Sequence, residues 1–267
     1  MSERPVDLMA GATPPDPAPL DPKPLDPRFR EELETVFWLQ QEVREGRGLP
    51  VMEAEAATHS LYVALQADGP NSLPQLPLHH MSQYVAVHAV NVSLLAMALG
   101  EFTGHDGAAV RDIGMAALLH DIGMAFVPME LLASPGPLER PERERVKEHT
   151  LTGARVILEA KASLGLAAVV AWEHHLRPDG SGYPVLTFPR SSHPVSRLVQ
   201  LCDIYHALSS PRPFRGPWPP DVVYSFIRAR AGFEFDPDLA TRLIQMLEQR
   251  TGVLAGDHPG AEGPALP

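Results

Sequence analysis

Between about residue 28 and residue 250, apolar positions recur at intervals of three and four, with polar residues between them. In 29–45, Leu33, Val36, Phe37 and Leu39 gather on one side of such a helix. The same spacing predicts helices over 52–66, 82–100, 108–120, 140–160, 167–175, 195–208, 222–230 and 238–249. The 82–100 run carries Val85, Val92, Leu95, Met97 and Leu99 and stops at Gly100, a residue that favours helix ends. No segment alternates apolar and polar residues with the β-branched enrichment that marks a strand. The pattern predicts an all-α protein.

Both ends break the pattern. Seven prolines fall between Pro14 and Pro27, each removing a backbone donor, so 1–27 reads as an extended leader. The stretch 252–267 is rich in Gly, Ala and Pro and reads as a frayed tail. Between them the chain divides into a helical cap or regulatory segment over 28–80 and a larger domain over 81–251. The apolar run 90–99 is too short to span a bilayer and is interrupted by Asn91 and Ser93, so no membrane insertion is expected. With no secretory signal in the sequence, the expected location is the cytoplasm. Cys202 has no second cysteine with which to form an intramolecular disulfide. A net charge of −11 argues against DNA or RNA as a partner, because such proteins present a basic face to phosphates. A small anionic substrate stays compatible with that charge, since bound metal ions can reverse the local field.

The histidines change the picture. His120-Asp121 and His174-His175 are adjacent pairs, each at the C-terminal end of an expected helix. His88, His149 and Asp203 fall within expected helices and are flanked by apolar residues. Imidazole and carboxylate suit iron, manganese, zinc or nickel. Ligands drawn from several facing helices suggest a binuclear site inside a bundle. A lone histidine on a helix is more often a hydrogen-bonded core residue, and His59, His79, His80, His105, His193 and His258 are read that way. The run 179–184 would by itself be only a glycine turn.

Five segments together carry a resemblance. ALLHDIGM (117–124) resembles the signature of the HD phosphohydrolases, and HHLRPDGSGYP (174–184) resembles the element that names their HD-GYP branch. YVAVHAVNVSLLAMALG (84–100), KEHTLTGARVIL (147–158) and LCDIYHALSSPRPFR (201–215) are similar to the family's other segments, in the family's order across 82–247. The resemblance implies an HD-type helical bundle acting as a cyclic dinucleotide phosphodiesterase, with cyclic di-GMP as substrate and cyclic GMP-AMP as the competing choice. It implies that His88, His120, Asp121, His149, His174, His175 and Asp203 hold two divalent ions, iron or manganese, with Asp121 bridging them and metal-activated hydroxide as nucleophile. A third metal in some members uses a glutamate where Tyr84 stands, so two ions are expected. Arg212 and Arg215 match arginines that grip phosphate, and Gly182 and Tyr183 belong to a substrate-side loop. A homodimer or a signalling protein are the implied protein partners.

Three positions depart from the family pattern. Met124 replaces a lysine, Leu176 a glutamate and His206 an aspartate. Loss of one phosphate contact costs about 3 kcal/mol in a transition state, so low activity is expected. A weakened module that only binds nucleotide or a partner protein is the alternative.

Overall fold

The computed structural model describes residues 24–69, 72–132, 138–188, 190–211 and 216–251. Among the described residues there are helices and no strand, and extended pairing is limited to the bridges Leu176–Gly182 and Ala231–Phe235. The helices are α1 (Arg30–Arg44), α2 (Val51–Asp68), α3 (Tyr84–Phe102), α4 (Gly107–Leu119), the short α5 (Met129–Leu132), α6 (Arg140–Lys147), α7 (His149–Ala160), α8 (Gly165–Glu173), α9 (Pro194–Ser209), α10 (Pro220–Arg230) and α11 (Pro237–Thr251). A 3-10 turn, Ile122–Phe126, follows α4.

Helix α3 is the axis of the bundle, buried at every position from Ala86 to Gly100. It packs against α4, α9, α1, α2 and α11. Its 19 residues are in fact long and apolar enough to cross a membrane, contrary to the reading of 90–99 as a short run. Two of its buried polar residues, Asn91 and Ser93, show why it belongs to a protein core instead. Ser93 donates to the Gly114 carbonyl at 2.8 Å, and Asn91 exchanges two hydrogen bonds with the backbone of Leu76 at 2.8 and 3.0 Å. Both side chains are satisfied only because other segments surround the helix. Each leucine it buries, such as Leu94, Leu95 and Leu99, contributes roughly 1.5–3 kcal/mol.

Helix α4 starts at Asp106, whose carboxylate accepts from Ala108 N at 3.0 Å and Ala109 N at 2.9 Å, a cap worth about 1 kcal/mol. Helices α1 and α2 form a pair that packs on α3, and α1 also reaches the 3-10 turn after α4.

Two expectations need correction. The helix expected over 140–160 is two helices, parted at Glu148. The His149 ring donates from Nδ1 to the Val146 carbonyl at 2.7 Å, and Thr150 donates to the Lys147 carbonyl at 3.1 Å. Side chains thus take carbonyls that a continuous helix would use, and His149 becomes the first residue of α7. The leader also ends earlier than expected. Leu25 packs on the core, and Arg28 binds the carboxylates of Asp26 and Asp68, so residues 24–27 are docked. Residues 1–23 and the tail 252–267 lie outside the described residues.

Candidate metal centre

The structure brings together all seven residues singled out from the sequence. His88 comes from the second turn of α3, His120 and Asp121 from the end of α4, and His149 from the start of α7. His174 and His175 follow α8, and Asp203 lies in α9. They fall into two groups able to hold a metal ion, one of Asp121, His149, His174 and His175 and one of His88, His120 and Asp203. Asp121 stands between them. Its Oδ1 lies 3.2 Å from His149 Nε2 and 3.5 Å from His174 Nε2, while its Oδ2 lies 3.5 Å from His120 Nε2 and 4.0 Å from His88 Nε2. One carboxylate therefore turns one oxygen to each group. His88 Nε2 closes the second group at 3.1 Å from Asp203 Oδ1.

Glycines make this approach possible. A Cβ on Gly123 would sit 2.0 Å from the His149 carbonyl oxygen and 2.7 Å from Gly153 N. The turn after Asp121 therefore lies backbone against backbone on the first turn of α7. On the other side, Glu173 is buried and accepts from His193 N at 2.7 Å and Ser196 Oγ at 2.9 Å. That carboxylate joins the end of α8 to the start of α9, fixing the histidine pair relative to Asp203.

The hydrogen bonds set the imidazole tautomers. Nδ1 of His120 donates to Ala117 O at 2.7 Å, Nδ1 of His149 to Val146 O at 2.7 Å, and Nδ1 of His174 to Ala171 O at 3.0 Å. Each ring then presents an Nε2 lone pair to the cluster, the usual arrangement behind a metal-ligating histidine. His120 Nε2 is buried and has no hydrogen-bond partner. A buried acceptor left in that state calls for a cation, and five imidazoles with two carboxylates and no thiolate suit a borderline divalent ion. The residues fit a metal.

Electrostatics agree with this donor set. Burial alone would raise the Asp121 carboxyl, but His120, His149 and His174 outweigh it and hold Asp121 well below the usual carboxylate range. Burial opposes ionisation of Asp203 too, and its contact with His88 overrides that and lowers it. Burial lowers His174 and, with the positive neighbours His174 and His149, lowers His175 strongly. His149 is raised because its contacts with Asp121 exceed its burial penalty.

The first group is the open one, since Asp121 and His175 are only half-buried while His88, His120 and Asp203 are buried. Gly182, at φ +89°, folds its loop back so that Tyr183 N donates to His175 O at 3.2 Å. A Cβ there would meet that same carbonyl at 2.1 Å. The turn stacks the Tyr183 ring on His175 at 4.5 Å between centroids. Burial, with Asp121 and Asp203 nearby, raises the Tyr183 phenol well above its ordinary value, so it stays a donor. Lys147 Nζ lies 5.6 Å over the same ring, placing a cation at the mouth. Sequence reasoning passed over Lys147, although its place two residues before His149 was a usable signal. Arg212 and Arg215 lie outside the described residues.

The three departures have distinct surroundings. Leu176 is buried and its carbonyl accepts from Gln200 at 2.9 Å. Met124 lies beside α1. His206 Nδ1 is 2.7 Å from His88 Nδ1, and His206 Nε2 is 3.0 Å from the Asn91 amide nitrogen. A polar chain therefore runs from Leu76 through Asn91 and His206 to His88.

Comparison with known proteins bears on the whole arrangement. Residues 72–239 match the HD domain family. The chain is 37% identical over 150 residues to a cyclic di-GMP phosphodiesterase of Pseudomonas aeruginosa, covering 56% of this chain and 36% of that protein. It is 32% identical over 167 residues to a cyclic di-GMP phosphodiesterase of Thermotoga maritima, covering 62% of this chain and 45% of that one. The chain thus spans less than half the length of these curated relatives. Its fold is similar to that of an HDG"Y"P protein from Bdellovibrio bacteriovorus, with a TM-score of 0.64 at 18% identity over 85% of this chain and 74% of that one. A domain match over more than half of the chain leads to one assignment: the chain belongs to the HD-domain family.

Proposed function

We propose that this chain is a metal-dependent phosphodiesterase that opens a cyclic dinucleotide, cyclic di-GMP foremost. The observation that carries the reading is the single carboxylate of Asp121, with one oxygen turned to each of two donor groups. Two divalent ions, iron or manganese, would be held by His149, His174 and His175 on one side and by His88, His120 and Asp203 on the other, with Asp121 shared. When bound, such a pair of ions supplies acidified water and neutralises phosphodiester oxygens.

The chain's own residues do the rest. The neutral Tyr183 phenol donates to a substrate oxygen at the mouth, and the Gly182 turn sets its ring on His175. Lys147 adds positive charge over that ring, offsetting part of what Met124 withholds. Arg212 and Arg215 are proposed as further phosphate grips. The relatives named above support cyclic di-GMP as the substrate.

The test is hydrolysis of cyclic di-GMP and cyclic GMP-AMP by wild type and His120→Ala after anaerobic loading with iron or manganese. Turnover by wild type and its loss in His120→Ala are expected, with two ions per chain by elemental analysis. Two bound ions with no turnover of either substrate would overturn the enzyme reading. Met124 and His206 would then favour a module that binds nucleotide without cleaving it.

A further inference from the structure

A cavity of about 220 Å³ lies beside the cluster, where α1 meets α3 and the turn after α4. Phe37, Gln40 and Arg44 of α1 face Ser82, Val85 and Met124 across it. Met124 connects the cavity to the cluster, since its N–H donates to the Asp121 carbonyl at 2.8 Å. Val85 lies three residues before His88 on α3, so the two side chains share one face of that helix. The cavity and the cluster therefore share the turn after α4 and one face of α3.

We infer that this cavity receives a purine base of the cyclic dinucleotide, so that α1 determines which base is accepted. The inference rests on the phosphodiesterase reading above and deepens it. Three of the walls, Phe37, Val85 and Met124, are apolar or polarisable, which suits the flat face of a base. The remaining surface carries the amides of Gln40 and Gln41, the Arg44 guanidinium, the Ser82 hydroxyl and the small Ala125. The guanidinium pairs with a guanine edge, and the Gln40 amide adds a donor and an acceptor beside it. The volume is smaller than the roughly 300–1,000 Å³ of a pocket for a drug-sized ligand, which fits one ring system and excludes the whole dinucleotide. Arg44 is already held in place, its Nε donating to the Ala125 carbonyl at 3.0 Å. That bond fixes α1 against the turn that carries Met124.

The family match begins at residue 72, so α1 lies outside it. A base reader on α1 would be this chain's own addition to the domain. It also gives Met124 a positive role. A thioether there forms an apolar wall for a base, which a lysine ammonium would not.

The test compares wild type, Gln40→Ala and Ser82→Trp, all metal-loaded, on two substrates. Cyclic di-GMP has bases, whereas bis(p-nitrophenyl) phosphate offers a phosphodiester and no base. In both variants the ratio of kcat/KM for cyclic di-GMP to that for the nitrophenyl ester should fall about tenfold, through KM. GMP binding to chelator-treated protein, measured by calorimetry, should weaken by a similar factor. Gln40→Ala keeps the test decisive if the added indole unfolds the chain. If wild type cleaves both substrates and neither variant changes the ratio or the GMP affinity, the base pocket is wrong and the phosphodiesterase reading stands. If wild type cleaves only the nitrophenyl ester and binds no GMP, the cyclic dinucleotide reading falls and takes the pocket with it.

Discussion

Gly123 offers the sharpest test of how the cluster is assembled, because the clash that a methyl group would cause there is with main-chain atoms. In Gly123→Ala, the new Cβ would sit 2.0 Å from the His149 carbonyl oxygen and 2.7 Å from Gly153 N, where ordinary contact begins at 3.4 Å. No rotamer change relieves either contact, so the 3-10 turn and α7 must separate by more than an ångström. Asp121 and His149 are carried on those two segments and now lie 3.2 Å apart, so the separation pulls them out of reach of each other. Overpacking of this kind costs about 1–3 kcal/mol, and a backbone clash belongs at the upper end. For a chain of this size, about 3 kcal/mol lowers Tm by roughly 6–12 °C. The assay is thermal unfolding of metal-free protein by circular dichroism, with metal content measured after reconstitution. Gly165→Ala is the control, since a Cβ there meets nothing within 4 Å and it should change Tm little. A Gly123→Ala protein with wild-type Tm and full metal content would refute the argument that the two backbones must touch.

Three further outcomes are expected. Lys147→Met should raise KM for a phosphodiester roughly tenfold, and Lys147→Arg should restore most of it, because the charge over Tyr183 is what contributes; equal KM in all three proteins would remove Lys147 from the site. His206→Asp should tighten metal binding roughly tenfold in competition with a chromophoric chelator, since a carboxylate can accept from both His88 and Asn91 whereas a neutral imidazole cannot; unchanged or weaker binding would contradict this. In metal-free protein, His174 and His175 are lowered, so as pH falls through about 6.5 the unfolded chain takes up protons that the fold refuses, and stability drops from pH 7 toward 5. His149, being raised, acts in the opposite sense, its contribution being present below about 6.5 and lost as pH rises through its folded value. His175→Ala should therefore flatten the acid slope by up to ~1.4 kcal/mol per pH unit, and an unaltered slope in urea titrations would count against it.

The fold was legible in the sequence wherever the apolar period survives folding unbroken. Helices α1, α2, α3, α4 and α9 fall within two residues of the spans that spacing predicts, because the apolar residues each of them buries recur along the chain at helical intervals. The failures have local causes. The α6–α7 break comes from His149 and Thr150 bonding back to the carbonyls before them, a competition that apolar spacing does not record. Leu25 was hidden by the prolines around it, and proline density says nothing about whether one leucine can dock.

The cluster was legible for a different reason. Four of its ligands come as adjacent pairs and His149 packs against Gly123, and both features follow from the geometry they must meet. His120-Asp121 and His174-His175 sit at helix ends, where two successive side chains can turn toward one point. Gly123 and Gly153 are spaced so that two backbones touch. What the motifs leave out is the direction of the hydrogen bonds behind the ligands. Leu76 fixes the Asn91 amide, so its nitrogen must donate to His206 Nε2, and a neutral His206 then carries its proton on Nδ1, facing His88. His88 Nδ1 must accept, and its own proton moves to Nε2, toward Asp203. An ion entering that group has to displace this proton, whereas His149 and His174 of the open group already present a bare Nε2. The two donor groups should therefore fill unequally, the open one before the buried one. The cause is a single substituted side chain that is not itself a proposed ligand.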